Sequence, residues 1–451
     1  MKLQDLKQQL KQTIGGKIRK VKSIYTPQRK AKAIQPTLKI IGITGSTGKS
    51  TTAYIIHEYL KQQGYQSVLY SSICVDSPAS YIKKEEAYEV AVGSKEALLS
   101  IIEETEACGA EYLVLEINES SIAKGIVKDV PFDVRVLTNL NPKHNLETYT
   151  EEEYVNIKKS FFQDIEDECI CVYGLQDYDK ELWEALLTIN AYPKMTCTTQ
   201  YIANVKGVAK EGITCLLQDL DVKENRMNFT IKMKEKTYLF HTKEQVKYQV
   251  MNYLTALTVI QALGVFDEQT YQSCIEDIHI PGRAVVYEAN GRTIIVDLHL
   301  PKMLSELINK KERKEIKQIK VVVGSIGTGF KTWEERFNSE EAKKTRQKVR
   351  QYAMELLNGK VEYVYLTESD HASESVIDIC REMKGYLGET PAVIIEDRKE
   401  AIRKAIEESK KGDAIFISGR GNRRILCNSA TTMKFVKDSE VVEEVLQELG
   451  W

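Results

Sequence analysis

Apolar residues come along this chain in short blocks that alternate with longer stretches of helical spacing. From Leu38, LKIIGIT is an almost unbroken apolar block running into a glycine turn, which predicts a buried strand. STTAYIIHEYLKQQG follows with apolar positions at helical spacing and a stop at Gly64, which predicts a helix. SVLYSSI, EYLVLEI and DVRVLTNL predict further strands, with a helix in SKEALLSIIEETEACG. Alternation of this kind predicts a parallel sheet covered on both faces. A later stretch opens near IPGRAVVYEANGRTIIVDL and repeats the alternation through IKVVVGS, EYVYLTES, AVIIEDR and DAIFISGRG. The expected organisation is an arm over residues 1–37, a large α/β domain over 38–280 and a smaller α/β domain over 281–451. No internal repeat or low-complexity segment interrupts it.

Composition narrows the class without choosing a function. The chain has 451 residues, more than one core usually serves, and is 42% hydrophobic and 28% charged, ordinary for a globular protein. No run approaches the roughly 18 apolar residues of a membrane span. The opening MKLQDLKQQLKQ lacks the apolar region of a signal peptide, so a cytoplasmic protein is expected. Nine scattered cysteines, with Cys169 and Cys171 the close pair, read as buried reduced thiols rather than a zinc or redox motif. Net charge is −2, yet residues 1–37 hold ten Lys or Arg and one acid. Such an arm attracts phosphates, nucleic acid or an anionic surface. The favoured reading is a solvated arm with Leu3, Leu6 and Leu10 on one docking face, because no aromatic platform accompanies the charge as single-strand binding would want.

The strongest chemical signal is GITGSTGKSTT, Gly42 to Thr52, between a predicted strand and a predicted helix. Successive backbone N–H groups and a helix N-terminus there can cradle a triphosphate. Gly45 and Gly48 permit the tight path, Lys49 can reach the β- and γ-phosphates, and Ser50 offers a hydroxyl to Mg2+. Thr44, Ser46, Thr47 and Thr51 complete the expected nucleotide site. The strict pattern places glycine six residues before the lysine, where Ile43 stands. A phosphate loop alone leaves kinase, motor, switch and ligase open.

That form of the loop resembles the Mur ligase family, which joins amino acids to a growing peptidoglycan peptide. The similarity continues through VLEINESSIAKGIVKDVPFDVRVLTNLNPKHNLETYTEEEYVNIKKSFF, QVMNYLTALTVIQALGV, IPGRAVVYE, IIVDLHLP, EDRKEAIRKAI and GDAIFISGRG. It spans roughly residues 38–430 and is nearest the branch that adds the third residue of the stem peptide. The resemblance implies a phosphate-loop ATPase domain and a Rossmann-like C-terminal domain closing over the substrates. It also implies ATP, Mg2+ and a carboxylate activated as an acyl phosphate. Glu116 would join Ser50 at the first Mg2+, and His144 would serve a second metal. Lys158, framed by Tyr154 and Phe162, would be carbamylated into an anion able to ligate a hard cation; an ammonium has no lone pair to give. Asn252 would lie near the adenine, Arg283 would meet the γ-phosphate and Asp297 the ribose. Taken singly, Glu116 reads as a solvated strand end, His144 as a loop histidine and Lys158 as a surface lysine; Arg283 has an alternative as part of a capped turn.

Departures from the family fall on the acceptor and amine sides. Where the family carries its UDP-holding N-terminal domain, only the arm is expected to stand. The family's serine–serine–histidine is Asn118, Glu119, Ser120; Ile126, Lys143 and Gly93-Ser94 replace other acceptor contacts. On the amine side, TESDHASE (Thr367 to Glu374) stands where the diaminopimelate signature is expected. GSIGTGFKTWEERF (Gly324 to Phe337) and GRGNRR (Gly419 to Arg424) are also changed. The expected function is an ATP-dependent ligase joining an amino acid to a carboxylate acceptor, a UDP-muramoyl peptide or another acid. A non-catalytic nucleotide-binding partner protein is the alternative; it predicts damage among Lys49, Ser50, Glu116, His144 and Lys158, all of which are present.

Overall fold

A computed structural model of the chain describes residues 38–78, 92–141, 149–163, 169–175, 194–199, 213–223, 226–243, 246–283, 285–298, 300–328, 339–421, 425–427 and 433–451. The arm over 1–37 and His144 lie outside the described residues. The chain divides between Ile280 and Pro281 into two compact units.

The first unit is built on a ten-stranded sheet in the order β10-β9-β8-β7-β6-β5-β1-β4-β2-β3. Its strands are β1 (Lys39–Thr44), β2 (Ser67–Tyr70), β3 (Val75–Asp76), β4 (Tyr112–Glu116), β5 (Val134–Leu137) and β6 (Ile170–Leu175). They continue as β7 (Lys194–Thr199), β8 (Cys215–Lys223), β9 (Arg226–Met233) and β10 (Lys236–Thr242). β1 lies between β4 and β5, parallel to both, and is buried along nearly its whole length. Its side chains alternate between two cores. Ile41 and Ile43 pack with Ile55, Ile56 and Tyr59 of the helix Lys49–Gln62 and with the apolar helix Val250–Ala262. Ile40 faces the opposite layer, with Leu98 and Ile101 of the helix Lys95–Ala107. This two-sided burial explains why the strand reads as a continuous apolar run.

The antiparallel extension β8–β9–β10 was not legible as part of the sheet. Its strands show polar–apolar alternation, as in RMNFTIKM, because one face is open to water.

The second unit carries a six-stranded sheet in the order β11-β12-β16-β13-β14-β15. These strands are β11 (Val285–Ala289), β12 (Arg292–Asp297), β13 (Ile319–Val323), β14 (Tyr363–Leu366), β15 (Ala392–Ile394) and β16 (Ala414–Ser418). All neighbours are parallel except the β11–β12 hairpin. Among the described residues no helix is long and apolar enough to cross a membrane.

A buried ion pair ties two helices of this unit together. Arg398, first residue of the helix Arg398–Glu407, donates Nε and Nη2 to the two carboxylate oxygens of Asp438 at 2.7 and 2.8 Å. Both side chains are fully buried, and the guanidinium also reaches the carbonyls of Glu368 and Ser418. Asp438→Ala leaves that cation buried without its counter-ion, so a loss of about 3–5 kcal/mol is expected in urea unfolding. Arg398→Met with Asp438→Leu, which removes both charges, is expected to recover part of the loss.

Candidate active site

The phosphate loop is shaped by what it leans on. β1 ends at Thr44, level with Leu137 of β5, and Ile43 is level with Glu116 of β4. The carboxyl ends of three neighbouring parallel strands therefore meet at the loop, where an open α/β sheet binds its ligands. Gly45 has φ +146° and a Cβ there would lie 2.1 Å from Thr138 Oγ1. Gly48 has φ +82° and a Cβ there would lie 2.2 Å from Asn252 Oδ1. Both positions need glycine for conformation and for space.

Hydrogen bonds from β5 and its continuation fix the loop between these glycines. Thr138 Oγ1 donates to the Thr47 carbonyl at 2.6 Å, and Asn139 Nδ2 to the same carbonyl at 2.8 Å. Thr47 N–H donates to Asn139 Oδ1 at 3.0 Å, and Ser46 N–H to the Asn139 carbonyl at 3.1 Å. The helix Lys49–Gln62 starts at Gly48 with no side-chain cap. A helix start of this type presents backbone N–H groups and the positive end of the dipole to an anion. Lys49 Nζ lies over the loop, donating to the Gly45 carbonyl at 3.0 Å.

Oxygens gather beside the loop. Glu116 is buried at the end of β4, and its Oε2 accepts from Ser71 Oγ at 2.7 Å, Ser72 N–H at 2.9 Å and Ser72 Oγ at 3.0 Å. Ser72 Oγ lies 3.2 Å from Ser50 Oγ. Among the described residues no group of three His, Cys, Asp or Glu side chains forms a self-sufficient metal cage. A single carboxylate flanked by hydroxyls, beside a place for phosphates, is the donor set that Mg2+ ordinarily uses. The residues present fit that ion.

The helix Glu151–Ser160 supplies two more contacts, one turn apart. Tyr154 OH donates to Ser46 Oγ at 3.0 Å, and Lys158 Nζ donates to Thr44 Oγ1 at 2.9 Å. Lys158 is fully buried, with Glu119 Oε2 at 3.3 Å from its Nζ. Burial pushes the Lys158 ammonium down to about 8, with Glu119 opposing the shift.

Thr44 through Thr51, Glu116, Lys158 and Asn252 are thus brought together in the first unit. Arg283 and Asp297 belong to the second. Arg283 lies beside Gly421, its Nη1 donating to the Gly282 carbonyl at 3.2 Å, and Asp297 is buried at the end of β12, paired with Ser418 of β16. The altered amine-side stretches also come together there. Gly327 N–H donates to the Asp370 carbonyl at 2.9 Å, and Arg420 Nη1 to Asp370 Oδ1 at 3.0 Å. Arg350 is held by Glu374 and Glu382, each at 2.8 Å from its Nη1.

Comparison with known proteins decides what this architecture is. The family model of the Mur ligase middle domain matches residues 43–260, and that of the Mur ligase glutamate ligase domain matches residues 282–421. The chain belongs to the Mur ligase family. It is an ATP-dependent acid–amino-acid ligase of that type. One relative, the UDP-N-acetylmuramoyl-L-alanyl-D-glutamate–2,6-diaminopimelate ligase of Geobacillus thermodenitrificans, is 26% identical over 86% of this chain and 75% of its own. The UDP-N-acetylmuramyl-tripeptide synthetase of Bifidobacterium longum is 24% identical over 91% of this chain and 77% of its own. Among solved structures, the MurF ligase of Thermotoga maritima in complex with ADP has a TM-score of 0.61 at 19% identity, covering 92% of this chain and 81% of that one. E. coli FolC in complex with ADP has a TM-score of 0.61 at 14% identity, covering 92% and 90%. Both structures share the fold of this Mur ligase.

The sequence reading missed Ser71, Ser72, Thr138 and Asn139. Each acts through a hydrogen bond to a residue distant in the chain, and only the parallel register reveals it. Gly48→Ala imposes left-handed strain of about 1–2 kcal/mol on a side chain that also meets Asn252. The variant is expected to unfold at lower temperature and to bind an ATP analogue at least about tenfold more weakly by calorimetry. Combining it with Asn252→Ala is expected to relieve the collision but not the strain.

Proposed function

We propose that this Mur ligase phosphorylates the carboxylate of an acceptor with ATP and joins the resulting acyl phosphate to the amine of an amino acid. A carboxylate is a poor electrophile, and phosphorylation gives its carbon a leaving group. An acceptor oxygen bonds to the γ-phosphorus as the bond to ADP breaks. The amine then bonds to the acyl carbon, releasing phosphate and a proton. Charge spreads over phosphoryl oxygens in the first step, so fixed positive groups are the main catalytic requirement.

The observation that carries this reading is the run of oxygens from Ser50 through Ser72 to Glu116 at the mouth of the loop. Mg2+ bound there would neutralise phosphoryl oxygens. Loop N–H groups bind and orient the triphosphate, and Lys49 offers its ammonium to the β- and γ-phosphates. On the family resemblance, His144 is assigned to a second metal, Asn252 to the adenine, and Arg283 and Asp297 to the nucleotide. The relatives are named for UDP-N-acetylmuramoyl peptide substrates. We assign this chain a muramoyl-peptide-like or other carboxylate acceptor, in the cytoplasm, with an amine of altered specificity. Two of the stretches that depart from the family pattern, Thr367 to Glu374 and Gly419 to Arg424, meet through Asp370 and Arg420, which supports that alteration.

The test is phosphate release from ATP and Mg2+ with amino acids, including D-amino acids and diaminopimelate. Each is paired with UDP-muramoyl peptides or small carboxylic acids. Release that requires one acid and one amine, with ADP as product, is expected; nucleotide binding with no stimulated release from any pair would contradict the proposal. Lys49→Ala is expected to lower kcat by roughly a hundredfold or more, the scale of losing one fixed charge-stabilising group.

A further inference from the structure

β5 carries one charge among apolar residues. Arg135 stands between Val134 and Val136 and is 9% exposed. Its guanidinium carbon lies 5.3 Å from the centre of the Phe132 ring and 5.2 Å from that of Phe161. Nη1 donates to the Phe161 carbonyl at 2.6 Å, at the C-cap of the helix Glu151–Ser160, where a cation also meets the negative end of the helix dipole. The two rings pack edge to face and close on β1: a Cβ at Gly42 would lie 2.6 Å from Phe132 Cε1 and 3.0 Å from Phe161 Cζ. These contacts make Arg135 a clamp on the end of that helix, and a clamp needs no space around it.

Space is nevertheless present. A cavity of about 390 Å3 opens here, with Arg135, Phe132 and Phe161 in its wall. Lys128, Asp129 and Ser160 also line it, and all three are exposed. The Asp129 carboxylate is paired with Lys95 Nζ at 2.6 Å, so it does not cancel the charge of Arg135 and Lys128. None of the loop residues Thr44 to Thr51 lines the cavity. Arg135 is level with Gly42, two residues before Thr44 and so about 7 Å back along the strand.

The lining selects a ligand class. A guanidinium is planar and matches a carboxylate edge to edge. The aromatic rings beside it want an apolar body, whereas a bare inorganic anion would leave that wall to water. A cavity of this volume takes a small organic molecule. We propose that it binds a small carboxylic acid with an aromatic or branched apolar body, its carboxylate held by Arg135 and Lys128. The acceptor of the ligase reaction has to reach the γ-phosphate, so an acid held here is a second one.

The test is calorimetric titration of the full chain, without nucleotide, with phenylacetate and isovalerate. Phenylacetamide and inorganic phosphate serve as controls. At least one of the two acids is expected to bind with a Kd of about 1 mM or tighter. It should bind about tenfold or more tighter than either control, the scale of a charge-assisted hydrogen bond. Arg135→Met is expected to weaken binding by a similar factor, but it also removes the clamp. Two exposed positions therefore give the reading with the core intact, which thermal unfolding checks. Lys128→Glu is expected to weaken the acid about threefold or more, and Ser160→Trp, which places a ring in the cavity, to abolish binding. No heat from either acid at about 10 mM overturns the proposal. So does acid binding unchanged in both Lys128→Glu and Ser160→Trp, or phosphate binding as tightly as the acid. Phosphate release from ATP in the ligase assay without acid binding here overturns this inference alone; acid binding without phosphate release overturns the ligase reading alone.

Discussion

The phosphate loop can keep its shape only while β5 stands beside β1 in parallel register, because the loop is held from outside itself. Thr138 and Asn139 both donate to the Thr47 carbonyl, and Asn139 receives the Thr47 N–H. Gly45 leaves no room for a side chain against Thr138. Separating β5 from β1 would release every one of these bonds at once. The apolar layers that hold the strands together therefore determine the geometry available to a triphosphate. Burying Ile41 and Ile43 on one face and Ile40 on the other is in this sense part of the catalytic design.

Charge is arranged on the same frame. Glu116 is anchored by three donors from Ser71 and Ser72, which fixes one anion where a divalent cation would sit. Lys49 and Lys158 both bring amino groups to the loop, one resting on loop carbonyls and one buried against Glu119. The second unit repeats the habit of fixing charges by pairing. Arg398 with Asp438, Arg350 with Glu374 and Glu382, and Arg420 with Asp370 all have guanidinium groups almost wholly withdrawn from water. Several of these fall in stretches where the sequence departs from its family, so the rebuilt region is internally paired rather than merely altered.

Much of this was legible in the sequence because it is local. Continuous apolar runs announced β1, β4, β5 and β16, and the glycine–lysine–serine loop announced its own site between strand and helix. Lys158 and Asn252 were legible only through family resemblance, since a lysine on an amphipathic helix and an asparagine in an apolar one carry no signal alone. Thr138, Asn139, Ser71 and Ser72 were not legible. Their side chains matter through partners 44 to 92 positions away in the chain, and no local pattern encodes that pairing. Glu119 was noticed as a departure, but its meaning depended on finding Lys158 against it. The antiparallel strands β8 to β10 escaped because their alternation is that of a half-exposed sheet, which resembles many surface segments.

The account stands or falls on the acyl phosphate. The direct measurement uses whichever carboxylate stimulates phosphate release, labelled with 18O in its carboxyl group, and follows the label by mass spectrometry of the phosphate produced. Transfer of a carboxyl oxygen into phosphate at each turnover is the predicted result. Phosphate carrying oxygen from ATP and water alone, while the amide forms, would contradict it.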